Sequence, residues 1–358
     1  MKIDAVTAVA EARVILVSDT HLSTSAPQAQ ANWDAVLSYV AACAPDLVIH
    51  LGDLSLDGAG HAADLRHGRA QLDRLPVAWH AVPGNHDIGD NPWPGAPAGI
   101  AVDAGRQQRW LDIVGADHWS ITAGGWVFLA VNAQLVGSGL AAEDAQWSWL
   151  DEQAGRYRGR EPIALITHKP VAAPGPELAA APPHRFWPAS ARGRLARLFG
   201  GTPPALVMSG HVHQYRLLRL DGADHLWVPT TWAVLPDQVQ PAWGVKRCGI
   251  VSLTLTAGTL AEQKLIEPDG IEQHTITVDL PDPYRRHGLA GYLPDEPGCL
   301  GHRAVRRGEQ PGLHREVVPH ARPPGVRHVH PGRRSAGRQQ PGVRRKQFVS
   351  PGLDQQRR

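Results

Sequence analysis

The sequence predicts an α/β fold, because short apolar strands alternate with helices over roughly its first 210 residues. Runs rich in Val, Ile and Leu are separated by longer stretches in which apolar residues recur at helical spacing. Short apolar strands divided by helices are typical of an α/β core with a buried sheet. The predicted strands are Arg13–Ser18, Asp46–His50, Val77–Val82, Trp126–Asn132, Ile163–Thr167 and Ala205–Ser209. The predicted helices are Gln28–Ala44, Ala59–Arg74, Ala142–Arg156 and Ser190–Phe199.

The pattern changes twice beyond the last of these helices. From Leu226 to about Ile266, strand-like runs follow one another without clear helices, which predicts a second, more antiparallel sheet. After about Pro281 the chain is rich in Arg, Pro, Gly, Gln and His and shows no apolar periodicity, so we expect disorder. We therefore predict a folded domain over residues 1–281 and a basic tail over residues 282–358. An out-of-frame extension of a GC-rich gene would have the same composition as this tail.

Charge is divided unevenly along the chain. Residues 301–358 carry 14 of the 36 Lys and Arg residues but only three of the 34 Asp and Glu residues, so a basic tail follows an acidic body. If the protein binds nucleic acid at all, we expect the basic tail to be the part that binds it. The tail lacks the interleaved aromatic residues that single-strand binding usually uses, which weakens that interpretation.

Neither a membrane segment nor a disulfide framework is expected. No apolar run approaches the roughly 20 residues of a membrane helix, and Asp4 and Glu11 interrupt any signal-peptide pattern. We therefore expect a cytoplasmic protein with no membrane partner. Cys43, Cys248 and Cys299 are far apart and form no CxxC pair, so His and carboxylate side chains must hold any metal.

Five polar clusters each follow a predicted strand directly. In open α/β sheets the ligand crevice lies beyond the carboxyl ends of the strands, so such clusters can converge on one point. The clusters are Ser18-Asp19-Thr20-His21, Gly52-Asp53, Gly84-Asn85-His86-Asp87, Thr167-His168 and Gly210-His211-Val212-His213.

The residue types in these clusters suit transition-metal ions. Neutral imidazole and carboxylate oxygen bind Zn, Mn, Fe and Co. Residues two apart in an extended segment lie on one side of it, so Asp19 with His21, and His211 with His213, can each present two ligands together. Glycine precedes three of the clustered polar residues, which allows tight turns and close approach of a ligand.

Each cluster alone has an ordinary structural interpretation. A lone Asp-x-His or Gly-Asp is common in solvated turns, and Gly-Asn-His-Asp can form a turn with an Asx hydrogen bond. All five clusters occur here in one chain, each at a predicted strand end. This joint occurrence favours a shared metal site.

Together the motifs resemble the calcineurin-like metallophosphoesterase family, whose pattern is Asp-x-His, Gly-Asp, Gly-Asn-His-(Asp/Glu), His and Gly-His-x-His. Every element of that pattern is present over roughly residues 13–255, and the set most resembles the bacterial branch related to cyclic-nucleotide phosphodiesterases. The resemblance implies a four-layer αββα sandwich, with two mixed β-sheets face to face and helices outside. It also implies two divalent or transition metal ions, which could be Fe, Mn, Zn or Co.

The resemblance further implies a role for each motif residue. Asp53 would bridge the two metals, His86 would face the substrate and Asp87 would orient it. The ligands implied for the first metal are Asp19, His21 and His213. Those implied for the second metal are Asn85, His168 and His211.

A site of this composition would hydrolyse phosphate esters. Two metals about 4 Å apart lower the pKa of a bridging water, whose hydroxide is the nucleophile, and they clamp the phosphate oxygens. Asn85 and a protonated His86 can stabilise the developing charge, and His86 can protonate the departing alkoxide. We therefore predict a hydrolase of small phosphate esters that favours phosphodiesters, cyclic nucleotides among them.

Three alternatives stay open at this stage. A phosphomonoesterase or protein phosphatase would use the same ligands, because metal ligands do not report the leaving group. A non-catalytic metal-binding scaffold would be supported by degraded ligands, and the motifs here are intact. A nucleic-acid processor would be recruited through the basic tail.

Two segments beside the motifs are candidate specificity loops, Ile88–Val102 and Val171–Pro188. Trp93 could stack on a base or ring of the substrate, although stiffening of its loop is the commoner role of such a residue. Arg185 could contact a phosphate. The sequence predicts neither the metal identity nor the oligomeric state.

Overall fold

The apolar runs predicted as strands form the centres of two separate sheets. A computed structural model of the protein describes residues 11–256 and 258–276. Its strands are β1 (Glu11–Val17), β2 (Leu47–His50), β3 (Trp79–Ala81), β4 (Trp119–Ala123), β5 (Trp126–Val131), β6 (Ile163–Thr167), β7 (Leu206–Ser209), β8 (Arg216–Leu220), β9 (Ala223–Trp227), β10 (Ile250–Thr256) and β11 (Thr259–Ile266). Its α-helices are α1 (Pro27–Cys43), α2 (Ala62–Leu72), α3 (Asn85–Ile88), α4 (Ala104–Ile113), α5 (Ala141–Tyr157), α6 (Gly175–Ala180) and α7 (Ala189–Leu198).

Both sheets are mixed. The first has the strand order β11-β10-β1-β2-β3, in which β1, β2 and β3 are parallel and β10 and β11 are antiparallel to their neighbours. The second has the order β4-β5-β6-β7-β9-β8, in which β5, β6, β7 and β9 are parallel and the two outermost strands are antiparallel. The prediction of two mixed sheets is therefore confirmed.

The side chains of β1 show how the layers stack. Val14 and Leu16 face the second sheet and share a core cluster with Phe128, whereas Ile15 faces outward and packs with Trp33 of α1. Alternate residues of a strand point to opposite faces, so a strand that is apolar throughout must be covered on both sides. The outer face of the second sheet packs on α5 and α7 in the same way. These contacts confirm the four-layer αββα sandwich.

The prediction of a separate antiparallel sheet after Leu226 is wrong. Strand β9 joins the second sheet beside β7, and β10 and β11 extend the first sheet beyond β1. An unpaired strand edge leaves backbone donors and acceptors without partners, and these late strands cover such edges. The local pattern shows that a segment is a strand, but it does not show which sheet the segment joins.

The described chain stays packed as far as Ile276, whose buried amide donates to Val234 O at 2.9 Å. Asn32 of α1 fixes the preceding segment, because its side chain makes hydrogen bonds of 2.8 and 2.9 Å with the backbone of Glu272. The predicted tail and the domain division at residue 281 lie outside the described residues and stay predictions.

None of the helices in the described part of the chain is long and apolar enough to span a bilayer. The expected cytoplasmic location stays a prediction.

Candidate metal centre

The loops that carry the predicted metal ligands converge at the carboxyl ends of β1, β2, β3, β6 and β7. Every one of these ligand residues is buried, and none is more than 5% exposed, although all are polar. Polar side chains at such burial need partners that offset the loss of water. The seven residues are Asp19, His21, Asp53, Asn85, His168, His211 and His213.

The donor atoms fall into two groups that share Asp53. The first group consists of Asp19, His21, Asp53 and His213, and within it one ligand atom of each residue lies within 4.8 Å of the others. The second group meets the same criterion and consists of Asp53, His168 and His211. Asn85 belongs beside the second group, because its Oδ1 lies 3.2 Å from His168 Nε2. One carboxylate between two donor groups is the arrangement that a pair of bridged metal ions requires.

A hydrogen bond to a backbone carbonyl fixes the tautomer of His213. This tautomer indicates which kind of ligand suits the first donor group. His213 Nδ1 lies 2.6 Å from Ala233 O, and since a carbonyl only accepts, Nδ1 must carry the proton. The lone pair of a neutral His213 is then on Nε2, which lies 3.3 Å from Asp19 Oδ1 and 3.3 Å from His21 Nε2. A lone pair and a carboxylate at this distance repel each other unless a proton or a metal ion lies between them. The first group therefore fits a metal ion.

The second group follows the same logic. His168 Nδ1 donates to Leu51 O at 2.8 Å, which directs Nε2 at Asp53 Oδ2 and Asn85 Oδ1, at 3.3 and 3.2 Å. The amide and carboxylate oxygens both accept, so three electron pairs converge when the imidazole is neutral. A metal-bound histidine whose other nitrogen donates to a backbone carbonyl is a common feature of metalloproteins. This donor set has no thiolate, which suits Zn, Mn, Fe or Co.

His211 turns the opposite nitrogen to the backbone. Its Nε2 donates to His184 O at 3.2 Å, so Nδ1 carries the lone pair that a metal would use. Its own amide donates to the Asp19 carboxylate at 3.0 and 3.2 Å. His211 thereby connects the two donor groups through its backbone as well as through its ring.

The loops hold most of the ligands in a backbone conformation that non-glycine residues rarely adopt. Such left-handed conformations cost on the order of 1 kcal/mol each and persist where the surrounding structure enforces them. Here the loops after β1 and β2 run side by side, with hydrogen bonds of 3.0 Å from Asp19 N to Gly52 O and from His21 N to Asp53 O. Of the seven described non-glycine residues with positive φ, five are predicted metal ligands, namely Asp19, His21, Asp53, His211 and His213.

Two glycines allow these loops to meet. A Cβ added to Gly84 would lie 2.1 Å from Asp53 Oδ1, and one added to Gly210 would lie 1.8 Å from Ser18 Oγ and 2.7 Å from Asp19 Oδ2. No side chain fits at such distances. At both glycines the atoms that approach closely belong to a neighbouring loop, and the predicted close approach of a ligand stays a prediction.

We expect Gly84→Ala to disrupt the centre. The new methyl group would displace the Asp53 carboxylate, so at least one metal ion should be lost after reconstitution, and the free energy of unfolding should fall by about 1–3 kcal/mol. Metal analysis and chemical denaturation measure these effects. The matched control is Gly155→Ala in α5, where the added Cβ meets nothing within 4 Å. Full metal content in Gly84→Ala would show that the two loops do not need this contact.

Asp87 ties two of the ligand loops together. Its Oδ1 accepts from Ser55 N and Ser55 Oγ at 2.8 and 2.6 Å, and its Oδ2 accepts from Leu54 N and Gly84 N at 3.1 and 2.9 Å. These bonds join the loop after β2 to the start of α3. Burial and the nearby Asp53 charge raise the pKa of Asp87 to about 6. The predicted role of Asp87, to orient its neighbour His86 toward substrate, stays a prediction.

His86 lies against the shared carboxylate but belongs to neither donor group. Its backbone amide donates to Asp53 Oδ1 at 2.8 Å, its ring packs edge-on to His21 with centroids 4.5 Å apart, and Nδ1 donates to Leu56 O at 2.8 Å. His86 as a whole is buried, with 4% of its surface exposed. This position suits a group that acts on a substrate bound to the centre.

His168 and Asp53 shift each other's pKa in opposite directions. Burial alone would lower the pKa of His168, but the Asp53 carboxylate, its hydrogen bond and the Asp19 charge outweigh burial and raise this pKa to about 9. Burial alone would raise the pKa of Asp53, but His168, His86 and His21 together hold it well below its usual range. A proton on His168 Nε2 would point at Asp53 Oδ2, which lies 3.3 Å away, and would compete with a metal ion for the same lone pair.

Metal binding is accordingly expected to release a proton from His168. Because this pKa is about 9, the ring is protonated at pH 7, and affinity should rise with pH until about 9 and then level off. Calorimetric titration with Mn²⁺ in two buffers of different ionisation enthalpy should give about one proton released per chain at pH 7 from this residue. In the control, His168→Asn, that proton should be absent. Equal proton release by both proteins would exclude His168 as its source.

The sequence pointed to the ligands but not to the groups that orient them. The carbonyls of Leu51, Leu56 and Ala233 carry no sequence signal, because every residue has one. Lys169 and Asp90, a buried ion pair beside the centre, were also missed. A lysine that directly follows a predicted ligand at the end of an apolar strand was the one available signal for that pair.

The structure thus combines a two-sheet sandwich with a candidate metal site at the ends of its strands. A family model for the calcineurin-like phosphoesterases matches residues 12–215, which is more than half of the chain. The chain belongs to that family. The matched region contains all five motifs, as the resemblance implied.

Several solved structures are similar to this chain. The purple acid phosphatase PPD1 from yellow lupin (Lupinus luteus) seeds superposes with a TM-score of 0.51 at 16% identity, over 77% of this chain and 55% of that one. The similarity thus spans little more than half of that phosphatase and shows a shared fold. GAP50, the anchor in the inner membrane complex of Plasmodium, gives 0.49 at 11% identity over 80% and 95% of the two chains. A dimetal phosphatase from Danio rerio gives 0.45 at 14% identity over 72% and 99%. A search of curated protein sequences gives no match.

Proposed function

We propose that this protein hydrolyses phosphate esters at a centre of two divalent metal ions and that it prefers phosphodiesters. The observation that carries the proposal is the position of Asp53, whose carboxylate belongs to both buried donor groups. Two bound cations would activate a water molecule and neutralise charge on the phosphate oxygens. The family of the chain supports the reaction class.

The protein's own residues would prepare the substrate for attack. Asn85 has a side-chain amide whose NH₂ group can donate to a phosphate oxygen, while its Oδ1, beside His168, would face the metal ion of the second group. In His86, Nδ1 donates to Leu56 O, so Nε2 is the nitrogen that can transfer a proton to the leaving oxygen. Asp87 holds the loops that carry these groups at a fixed separation.

The preference for diesters rests on the need for an acid. A monoester dianion is already a good electrostatic match to two divalent cations. A diester monoanion carries less charge and often has a poor alkoxide leaving group, so it gains more from a proton donor. His86 supplies such a donor beside the shared carboxylate. Cyclic nucleotides are one class of diester that fits this proposal.

The test is kcat/KM for bis(p-nitrophenyl) phosphate, 3′,5′-cyclic AMP and p-nitrophenyl phosphate with Mn, Fe, Co or Zn in turn. We expect the diesters to be hydrolysed faster than the monoester under the best metal condition. A preference for the monoester of more than about tenfold would identify a phosphomonoesterase, since that ratio corresponds to about 1.4 kcal/mol in the barrier. Activity on bis(p-nitrophenyl) phosphate but none on cyclic AMP would keep the reaction and exclude the cyclic nucleotide. No activity with any metal would favour a metal-binding scaffold.

A further inference from the structure

Lys169 is a fully buried cation immediately after the ligand His168. Its ammonium group donates to Asp90 Oδ1 and to Asn91 Oδ1, both in the segment that follows α3. A buried ion pair contributes little net stability, and an apolar pair of the same size would often serve as well. An ion pair does, however, require its two charged groups to lie in contact, so it fixes the relative position of the segments that carry them. Lys169 therefore sets the position of the Asp90 segment relative to His168.

The segment that Lys169 holds is a closed loop. Asp90 N donates to Ile100 O at 2.8 Å and Val102 N donates to Asp90 O at 2.7 Å, so residues 91–101 leave and return at the same point. Arg106 of α4 fixes the returning side of the loop's base through bonds of 2.5 Å to Ala101 O and 2.7 Å to Gly99 O. With its base fixed at both sides, the loop presents Trp93 in a defined place.

Trp93 connects this loop to the opposite side of the metal centre. The ammonium group of Lys169 lies 5.9 Å from the Trp93 ring centroid, and the His184 ring lies 4.9 Å from it at an interplanar angle of 41°. The carbonyl of His184 in turn accepts from the ligand His211 at 3.2 Å. Trp93 and His184 are both half-buried. The two rings thus form one continuous aromatic surface between the His168 loop and the His211 loop.

We propose that Trp93 and His184 form an aromatic wall on the His168–His211 side of the centre, and that this wall selects phosphodiesters with an aromatic substituent. Lys169 is the residue that positions the wall. The inference rests on the proposed function and names the substrate class of the same site. An aromatic ring of the ester would pack on the face or edge of the indole. This contact would favour binding of an aryl ester over an ester with a small alkyl group.

Two substrates isolate this effect. Bis(p-nitrophenyl) phosphate and methyl p-nitrophenyl phosphate release the same p-nitrophenolate and differ only in the group that stays on phosphorus. The measured quantity is the ratio of their kcat/KM values, which cancels any general loss of activity. For Trp93→Ala we expect this ratio to fall roughly three- to tenfold, the loss of one aromatic contact, mainly through KM for the diaryl ester. Trp93→Phe should keep most of the ratio.

Lys169 is tested with charge-balanced variants. Lys169→Met alone leaves Asp90 buried without its cation and could unfold the protein, so the double variant Lys169→Met with Asp90→Asn removes both charges. We expect the double variant to keep its metal content and to lose the discrimination to the same extent as Trp93→Ala. Hydrogen exchange of the peptides over residues 90–102 should also become faster. The matched control is Lys246→Met, because the ammonium group of Lys246 also holds a loop, through bonds to Leu235 O, Gln240 O and Asp237 Oδ1, and none of these residues contacts Lys169 or Trp93 in the bonds described above.

The outcomes separate the inference from the function on which it rests. If the native protein hydrolyses both esters but Trp93→Ala and the double variant keep the native ratio, the aromatic wall is wrong. If Trp93→Ala lowers the ratio and the double variant does not, Lys169 is not the positioning residue. If the native protein hydrolyses neither ester with any metal, the proposed function fails and takes the inference with it. A lowered ratio in both variants with an unchanged ratio in Lys246→Met is the supporting result.

Discussion

Replacing Asp53 by alanine is expected to remove nearly all activity together with one or both metal ions. The Asp53 carboxylate is the one donor that belongs to both buried groups, and its Oδ2 lies 3.3 Å from His168 Nε2 and 3.8 Å from His21 Nε2. Without it each group loses an anionic ligand, and the positive charges of two ions would be poorly balanced. Since metal ions contribute several kcal/mol of charge stabilisation to phosphoryl transfer, the rate should fall by roughly a thousandfold or more.

The control for this variant is Asp64→Ala. Asp64 is also buried and accepts hydrogen bonds from Ser23 Oγ at 3.0 Å and Asp57 N at 3.2 Å, but it belongs to neither donor group. Both proteins lose one buried carboxylate, so they differ chiefly in its relation to the centre. Metal analysis after reconstitution and steady-state kinetics measure the outcome. Retention of two metals and full activity by Asp53→Ala would contradict the site assignment.

Replacing His86 by alanine is expected to lower kcat by about 10²–10⁴-fold, the usual range for a general acid, with little change in metal content. The reason is its position. The bond that supports Asp53 comes from the His86 backbone amide, which alanine retains, whereas the ring is the part that would protonate the leaving group. The effect should be larger for a poor alkoxide leaving group than for p-nitrophenolate, because an activated leaving group needs less protonation.

Two controls define the result for His86. His211→Ala removes a member of the second donor group and should lose metal. His225→Ala removes a buried histidine of β9 that belongs to neither group and should keep both metal and activity. If His86→Ala loses as much metal as His211→Ala, then His86 is a ligand and another group must act as the acid.

The fold was predictable where local pattern determines it. Strands such as Ile163–Thr167 are buried throughout and apolar, so their period and length identify them. Helix α4 (Ala104–Ile113) was not predicted, because Trp110 is its one fully buried residue and its apolar stripe is therefore weak. The partners of β9 and β10 were also not predictable, because pairing depends on which edge is open in three dimensions.

The sequence could nominate the candidate ligands because metal chemistry restricts residue type and each motif follows a strand, and the structure brings these side chains together. The geometry of the candidate ligands could not be predicted from the sequence. The positive φ of Asp19 and His213 depends on hydrogen bonds between distant loops, and the tautomer of His213 depends on the carbonyl of Ala233. The ion pair of Lys169 with Asp90 joins residues far apart in the chain, so neither residue alone indicates it.

Anomalous diffraction from crystals reconstituted with Mn²⁺ would show directly whether two metal ions share Asp53. We expect two anomalous peaks, one on either side of the Asp53 carboxylate and separated by about 3.5–4 Å. One peak should lie among Asp19, His21 and His213, and the other among Asn85, His168 and His211. A single peak at full occupancy, or peaks that do not contact Asp53, would contradict this expectation.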